Sequence, residues 1–304
     1  MPIEEPEYIW LDGKFVKWSE AKVPVLTHAL HYGTGVFEGL RAYPSDGNLL
    51  VFRLEDHIRR LMNSAKIYYM EPKYSAKELT NAVLETLRIN KIKTSAYIRP
   101  IIFVGYGGIG LNWTGFPLQY AIAAFPYGKY FDKPELKVCI SSWRRISDQS
   151  TPPQAKATGN YINSVLSKLD ALRNGYDDAV LLDQRGYVSE GTGENIFVVK
   201  NGRMYTPSPA SSILEGITRD SVMHLSKELE VQVTERDVAR TELYIADEVF
   251  FTGTAAEVTA IIEVDRRAIG NGSMGKVTRR IRDSYLKAVV GEDSRHKDWV
   301  TPVY

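Results

Sequence analysis

The stretch "PYGKYFDKPEL" at 126–136 constrains this chain more than any other. Pro126, Gly128 and Pro134 punctuate an aromatic segment that can continue neither a strand nor a helix. The texture also differs on its two sides, and 304 residues is a length that favours about two domains. The expected division is a small α/β domain over 1–125, a linker over 126–135, and a larger β-rich domain over 136–304. The fold class is α+β.

Before the break, strand and helix signals alternate. "YIWLDGKFVKW" reads as two short strands around an Asp-Gly turn. From Leu54, apolar residues recur at Ile58, Leu61, Met62 and Ala65, a helical stripe. Ser75 and Glu78 stand at capping-box spacing before Leu79, Val83 and Leu87, which predicts a second helix. "AYIRPIIFVG" and "QYAIAAF" read as strands. After the break, "LKVCISSW", "DAVLLD", "YVSEG", "NIFVVKNGRMYT" and "DEVFFTGTAAEVTAIIEV" are strand-like, with Asn201-Gly202 as a hairpin cue. Two helices are expected among them, one from Ile217 with Val222, Leu225 and Leu229 inward, and one carrying Val277, Ile281, Tyr285 and Val289.

Charge and cysteine content narrow the function classes. Net charge is +1 without a basic block, so no nucleic-acid partner is expected. Cys139 is the only cysteine, and His28, His31, His57, His224 and His296 show no zinc-ligand spacing. No metal site is expected, and a reducing cytoplasm suits the composition. The start, "MPIEEPEYIW", does not read as a signal peptide, and no apolar run approaches a membrane span.

One motif points towards a nicotinamide-dependent oxidoreductase. "GYGGIG" at 105–110 matches G-x-G-x-x-G after a predicted strand, with Asp132 further on. That fingerprint needs a helix to follow, and "LNWTGFP" has no helical period. The expected structure is a loop between strands.

A second set of segments is more promising. In "QAKATGNY", Lys156 is flanked by Ala155, Ala157, Thr158 and Gly159, small neighbours that leave room beside the amine. "VSEGTGEN" sets Glu190 at a strand end. "LEGITRD" starts a helix at Gly216 and Thr218, where free N–H groups favour a phosphate. "FTGTAAE" ends a strand with Gly253, Thr254 and Ala255. An amine, a carboxylate and two anion-receptive turns suit a phosphorylated aldehyde cofactor such as pyridoxal 5'-phosphate. Each piece also has a plain reading: a solvated lysine or glutamate, an ordinary N-cap threonine, a simple turn, and Tyr161 as a core aromatic.

At these residues the chain resembles the class IV pyridoxal-phosphate aminotransferases, most closely the branched-chain amino acid aminotransferases. The likeness runs from "YIWLDGKFVKW" to the final helix through "HALHYGTGVFEGLRAY", "HIRRLMNSAKIYY", "AYIRPIIFVG", "KATGNYINS", "SEGTGENIF", "EGITRDSV" and "ADEVFFTGTAAEV". The resemblance implies a two-domain fold type IV enzyme with its cofactor in the cleft between domains, and a homodimer as the minimal unit. It implies that Lys156 is the Schiff-base lysine and proton-transferring base. Glu190 would pair with the pyridine nitrogen and Tyr161 with the ring hydroxyl oxygen. Arg60, the backbone of Ile217 and Thr218, and Thr254 would hold the phosphate. The helical stripe disagrees over Arg60. At about 100° per residue it lies nearly opposite Leu54, Ile58 and Leu61, which predicts a solvent-facing side chain.

The same resemblance implies a substrate pocket of Tyr32, Phe37, Gly39, Tyr97, Tyr127 and Tyr130, with Tyr32 able to reach it from the partner subunit. An aromatic cage suits leucine, isoleucine and valine. Arg99 would take the distal carboxylate of glutamate or 2-oxoglutarate, and Gly253, Thr254 and Ala255 the α-carboxylate. Without the family, Arg99 reads equally well as a strand residue on the solvent face. Three positions depart from the family: Tyr127 where tryptophan is usual, Glu215 where proline is common, and Thr158 where glycine is frequent. The first can widen or hydrate the pocket, which leaves open the preferred amino acid and activity toward primary amines. A D-amino acid aminotransferase, an (R)-selective amine transaminase and an aminodeoxychorismate lyase are the alternatives within the class.

Overall fold

A computed structural model describes residues 3–128 and 130–304. Lys129, inside the expected linker, lies outside the described residues. The chain separates into two units. One comprises the described residues to Gly128 with Ala155–Gly159 and Ala288–Tyr304; the other holds the described residues from 130 to Gln154 with Asn160–Lys287. The division expected from sequence places both Ala155–Gly159 and the C-terminal segment in the second part. Their backbones pair instead with the first sheet: Ala157 bridges Val36, and Val300–Pro302 pairs with Asn48–Phe52.

The first unit is an antiparallel sheet carrying two long helices and the short helix His28–Tyr32. Its strand order is Val300–Pro302, Asn48–Phe52, Leu40–Ser45, Ala96–Val104, Leu118–Pro126, Tyr8–Leu11, Lys14–Lys17, with Gly35–Phe37 also on Ala96–Val104. The Asp-Gly turn forms as expected, because Asp12 and Gly13 both take positive φ, 50° and 97°, the twist a two-residue hairpin needs. Helices Leu54–Ile67 and Ala76–Ile89 bury their apolar stripes against the sheet, joining Leu40, Leu49, Ile98 and Ile122 in one core. The capping box is present: Ser75 Oγ accepts from Glu78 N at 3.3 Å, and Glu78 Oε2 accepts from Ser75 N at 2.8 Å.

The second unit is a mixed sheet in the order Val188–Gly191, Asp178–Leu182, Glu135–Arg144, Glu257–Val264, Glu248–Gly253, Asn195–Lys200, Arg203–Thr206, Val233–Glu235, with Arg267–Ala268 on Glu257–Val264. Val180, Ile196, Val198, Val249, Phe251 and Ile261 are among its buried core. Both predicted helices are present, as Ile217–Glu228 and Lys276–Val289. Helix Tyr161–Arg173 is an addition to the predicted elements. It runs against the usual pattern: Ser164, Ser167 and Ala171 face inward, while Ile162, Val165, Leu166, Leu169 and Leu172 are exposed on this chain. A stripe of that length normally faces a core.

Candidate active site

In the first unit the site is set by strand register. Along Ala96–Val104 alternate side chains face opposite ways. Ile98 and Ile102 enter the core, whereas Tyr97 and Arg99 take the other face. Tyr97 stands opposite Arg41 on one side and Phe125 on the other, and Arg99 opposite the small Ala123. Across the strand, Phe37 pairs with Ile101. The result is a connected cluster. The Arg99 guanidinium lies 4.7 Å from the Phe37 ring centroid and 5.1 Å from that of Tyr97, to whose hydroxyl it donates at 3.0 Å. The Tyr127 ring is 5.3 Å from Tyr97, and Arg41 covers Tyr127 at 5.7 Å. Burial, with Tyr97 beside it, raises the Tyr127 phenol against the opposing pull of Arg41 and Arg99, so it stays un-ionised. Gly39 is sterically required, since a Cβ there would stand 1.9 Å from the Tyr97 hydroxyl.

Lys156 belongs to this cluster. Its Nζ lies 5.1 Å from the Phe37 ring centroid. Its backbone is pinned on both sides: the N–H donates to Ser64 Oγ at 3.0 Å, and the carbonyl accepts from Phe37 N at 3.0 Å. The small neighbours have a different cause from the one expected. Ala155 and Ala157 are buried because the segment is sandwiched between a strand and a helix, so they make room for protein. At Thr158, a departure from the family, the hydroxyl donates to Gly33 O at 2.8 Å, and Gly33 meets Gly159 so closely that a Cβ would lie 2.7 Å from its Cα.

Arg60 does not face solvent. Its side chain is 14% exposed and grips Glu38, with Nε 2.6 Å from Oε1 and Nη2 3.0 Å from Oε2. The helix has a second buried face, polar rather than apolar, made by His57, Arg60 and Ser64 at i, i+3 and i+7. That spacing is the signal in the sequence that a search for apolar stripes passes over. The loop at 105–117 has no helix after its glycines. His28 Nε2 donates to Gly110 O at 2.8 Å, and Tyr32 OH accepts from Gly110 N at 3.3 Å, so the turn is tied to helix His28–Tyr32.

In the second unit, Glu190 is 5% exposed on strand Val188–Gly191. A register shift between Val188 and Glu190 re-aims it, the usual effect of a bulge. Two donors converge on its Oε2, Asn195 Nδ2 at 2.9 Å and Leu214 N at 3.1 Å, and the Arg145 guanidinium forms an ion pair with Oε1, its Nε 2.8 Å away. Gly216 leaves space for Asn195, whose Oδ1 a Cβ would approach to 2.0 Å. Helix Ile217–Glu228 starts at Gly216 with no side-chain cap, and Ile217 and Thr218 are buried. The turn after strand Glu248–Gly253 holds half-buried Thr254 and Ala255. Tyr161 is half-buried at the first position of its helix, and Tyr130 is exposed, packed edge-on against Phe131 at 4.6 Å. Sequence reasoning missed Glu38, Arg41, His57, Arg145 and Asn195.

Glu194 sits behind this loop, accepting from Gly193 N at 3.0 Å. Burial, reinforced by Asp178 and Glu190, lifts its carboxyl to about 8 against the Gly193 amide and Lys168. The folded state thus keeps a proton that an unfolded carboxyl releases near pH ~4.3. The associated stability is complete below that pH and lost as pH rises through about 8. Glu194→Gln, which cannot ionise, is expected to spare about 1.4 kcal/mol of the loss between about pH 7 and 9. Thermal melts should then show about 2 °C less decline than the parent over that interval; equal declines would contradict the assignment.

Taken unit by unit, the residues suit parts of pyridoxal phosphate: the first unit offers an amine of the kind an aldehyde needs, and the second a fixed carboxylate suited to a ring nitrogen and an uncapped helix N-terminus suited to a phosphate. The hydroxyls of Ser189 and Thr252, beside Glu190 and Gly253, are buried without a hydrogen-bond partner among the described residues.

The chain belongs to the class IV aminotransferases, whose family profile matches residues 35–264. It is an enzyme of that class, with pyridoxal phosphate as its cofactor. The branched-chain-amino-acid aminotransferase of Escherichia coli (strain K12) is 45% identical, over 100% of this chain and 99% of that protein. Among solved structures, the branched-chain aminotransferase of Thermoproteus uzoniensis with norvaline matches at a TM-score of 0.95 and 45% identity, covering 98% of this chain and 100% of that one. The branched-chain amino acid aminotransferase of Thermobaculum terrenum in its PLP-bound holo form matches at 0.95 and 39%, covering 99% of each chain.

Proposed function

We propose that this chain is a branched-chain amino acid aminotransferase, moving the amino group of L-leucine, L-isoleucine or L-valine reversibly to 2-oxoglutarate. The observation that carries this is the Lys156 amine over Phe37, a ring that the Arg99 guanidinium also covers. One apolar surface flanked by a cation serves both substrates: a branched side chain rests on the aromatic ring, and a distal carboxylate meets the fork.

Bound here, pyridoxal phosphate supplies an electron-withdrawing ring that acidifies the substrate Cα–H. Lys156 would hold the aldehyde through Nζ and, once released, would be the base that accepts that proton. Glu190 holds the proton on the ring nitrogen, and Tyr161 donates to the ring hydroxyl oxygen. Arg60, the amides of Ile217 and Thr218, and Thr254 take the phosphate. Gly253, Thr254 and Ala255 take the α-carboxylate. Phe37, Gly39, Tyr97, Tyr127, Tyr130 and Tyr32 shape the side-chain pocket. Borohydride treatment of the loaded enzyme should place a phosphopyridoxyl group on the Lys156 peptide. L-leucine, and not D-alanine or (R)-phenylethylamine, should bleach the visible absorbance; bleaching by D-alanine alone would favour the D-amino acid reading.

We further propose a homodimer. The exposed stripe Ile162, Val165, Leu166, Leu169 and Leu172 is the kind of surface a second copy covers, and a one-chain mass in sedimentation would refute it. A cytoplasmic setting suits a chain with one cysteine. No helix among the described residues is long and apolar enough to cross a membrane.

A further inference from the structure

Glu38 is wholly buried, with 0% exposure, and neither the spacing of the sequence nor the family resemblance gave it a role. Its Oε2 accepts from Gly39 N at 3.1 Å and from His57 Nδ1 at 2.7 Å, while both oxygens engage the Nε–Nη2 edge of Arg60. Burial alone would raise this carboxyl, but Arg60 and His57 outweigh it and hold it far below the usual range. Burial lowers His57; Glu38 opposes, and Arg60 and Lys156 press it lower still, so the imidazole is neutral and its Nδ1 hydrogen points at Glu38. The cluster therefore contains one anion, one cation and a neutral ring.

Buried ion pairs are poor sources of stability, since well-packed apolar groups of like volume often do as well. Their strength is geometric. A guanidinium gripped along one edge cannot rotate about its last torsions, so its opposite edge points one way. The cluster is also coupled to the reactive lysine. Glu38 N donates to Pro100 O at 2.8 Å, the preceding residue Phe37 donates to Lys156 O, and Ser64, on the same helical stripe as Arg60, accepts from Lys156 N.

From this geometry we infer that Glu38 is a positioning residue that aims Arg60 at the cofactor's phosphate. The inference rests on the reading that Lys156 and Arg60 serve pyridoxal phosphate, and it extends that reading to a residue that touches neither substrate nor cofactor. The discriminating quantity is the affinity ratio between pyridoxal phosphate and pyridoxal, which lacks the phosphate. It can be measured by titrating the full chain stripped of cofactor, with borohydride trapping on Lys156 as a second readout. Glu38→Gln sets an amide N–H against donors and should weaken pyridoxal phosphate about tenfold to thirtyfold while changing pyridoxal less than about threefold. Glu38→Asp keeps the charge but retracts the fork, and should shift the ratio in the same direction if Glu38→Gln fails to fold. An unchanged ratio in whichever variant folds, or an equal loss for both ligands, would overturn the inference. Arg60→Gln separates the two levels. If it leaves the ratio at the parental value, the phosphate assignment of Arg60 is wrong. If it abolishes the preference while Glu38→Asp does not, only the role of Glu38 fails.

Discussion

Lys156→Ala is expected to lower L-leucine transamination by about three to four orders of magnitude and to abolish borohydride labelling of the 154–161 peptide. The fold should survive. Lys156 is held by its own backbone through Ser64 and Phe37 N, and neither bond uses the side chain. Far-ultraviolet circular dichroism and the melting temperature should therefore stay close to the parent. The two readouts separate chemistry from folding: a collapsed variant loses both, and the expected one loses activity alone. Turnover within about tenfold of the parent would mean that another amine carries the proton, and the mechanism would need a new base.

Glu190→Gln should be costly twice over. Arg145 Nε, Asn195 Nδ2 and Leu214 N, which face this carboxylate, are all N–H groups. A glutamine must turn its NH₂ towards at least one of them, so either orientation buries a donor against a donor. It also leaves the Arg145 guanidinium, itself 8% exposed, without its counter-charge. Breaking a buried pair from one side costs about 3–5 kcal/mol, which in a chain of this size corresponds to a melting temperature lower by about 5–8 °C. Independently, a neutral amide cannot keep the proton on the ring nitrogen, and kcat should fall by about a hundredfold or more at temperatures where the variant is folded. Glu190→Asp retains the charge and should recover part of both losses. A glutamine variant with parental kcat would remove this residue from the ring nitrogen.

Local patterns were readable because they depend on near neighbours. Asp12-Gly13, the Ser75–Glu78 capping box and the Leu54 stripe each act within a few residues and formed where the spacing placed them. Helix Tyr161–Arg173 carries an apolar period at Ile162, Val165, Leu166, Leu169 and Leu172, but no side-chain cap marks its start, and the reading of Lys156 and Tyr161 as site residues passed over it. The short strands Gly35–Phe37, Leu40–Ser45 and Val300–Pro302 are set by partners far along the chain. The site divides the same way. Lys156 and Arg99 were named from short motifs. Glu38 was not, because its meaning lies in side chains of a helix that begins at Leu54, well beyond any local pattern. Arg60 shows the limit of a single-stripe reading: one helix buried two faces, each of a different chemistry.

The placement of Val300–Pro302 has a consequence for biosynthesis. Tyr304 N donates to Asn48 Oδ1 across 256 positions, and the adjoining strand covers the edge of Asn48–Phe52. During translation that edge must wait, bare, until partners so far along the chain have left the ribosome. A nascent chain in this condition is open to wrong strand partners for as long as that pairing is delayed, so a slow passage through the intervening residues lengthens its exposure to misassembly.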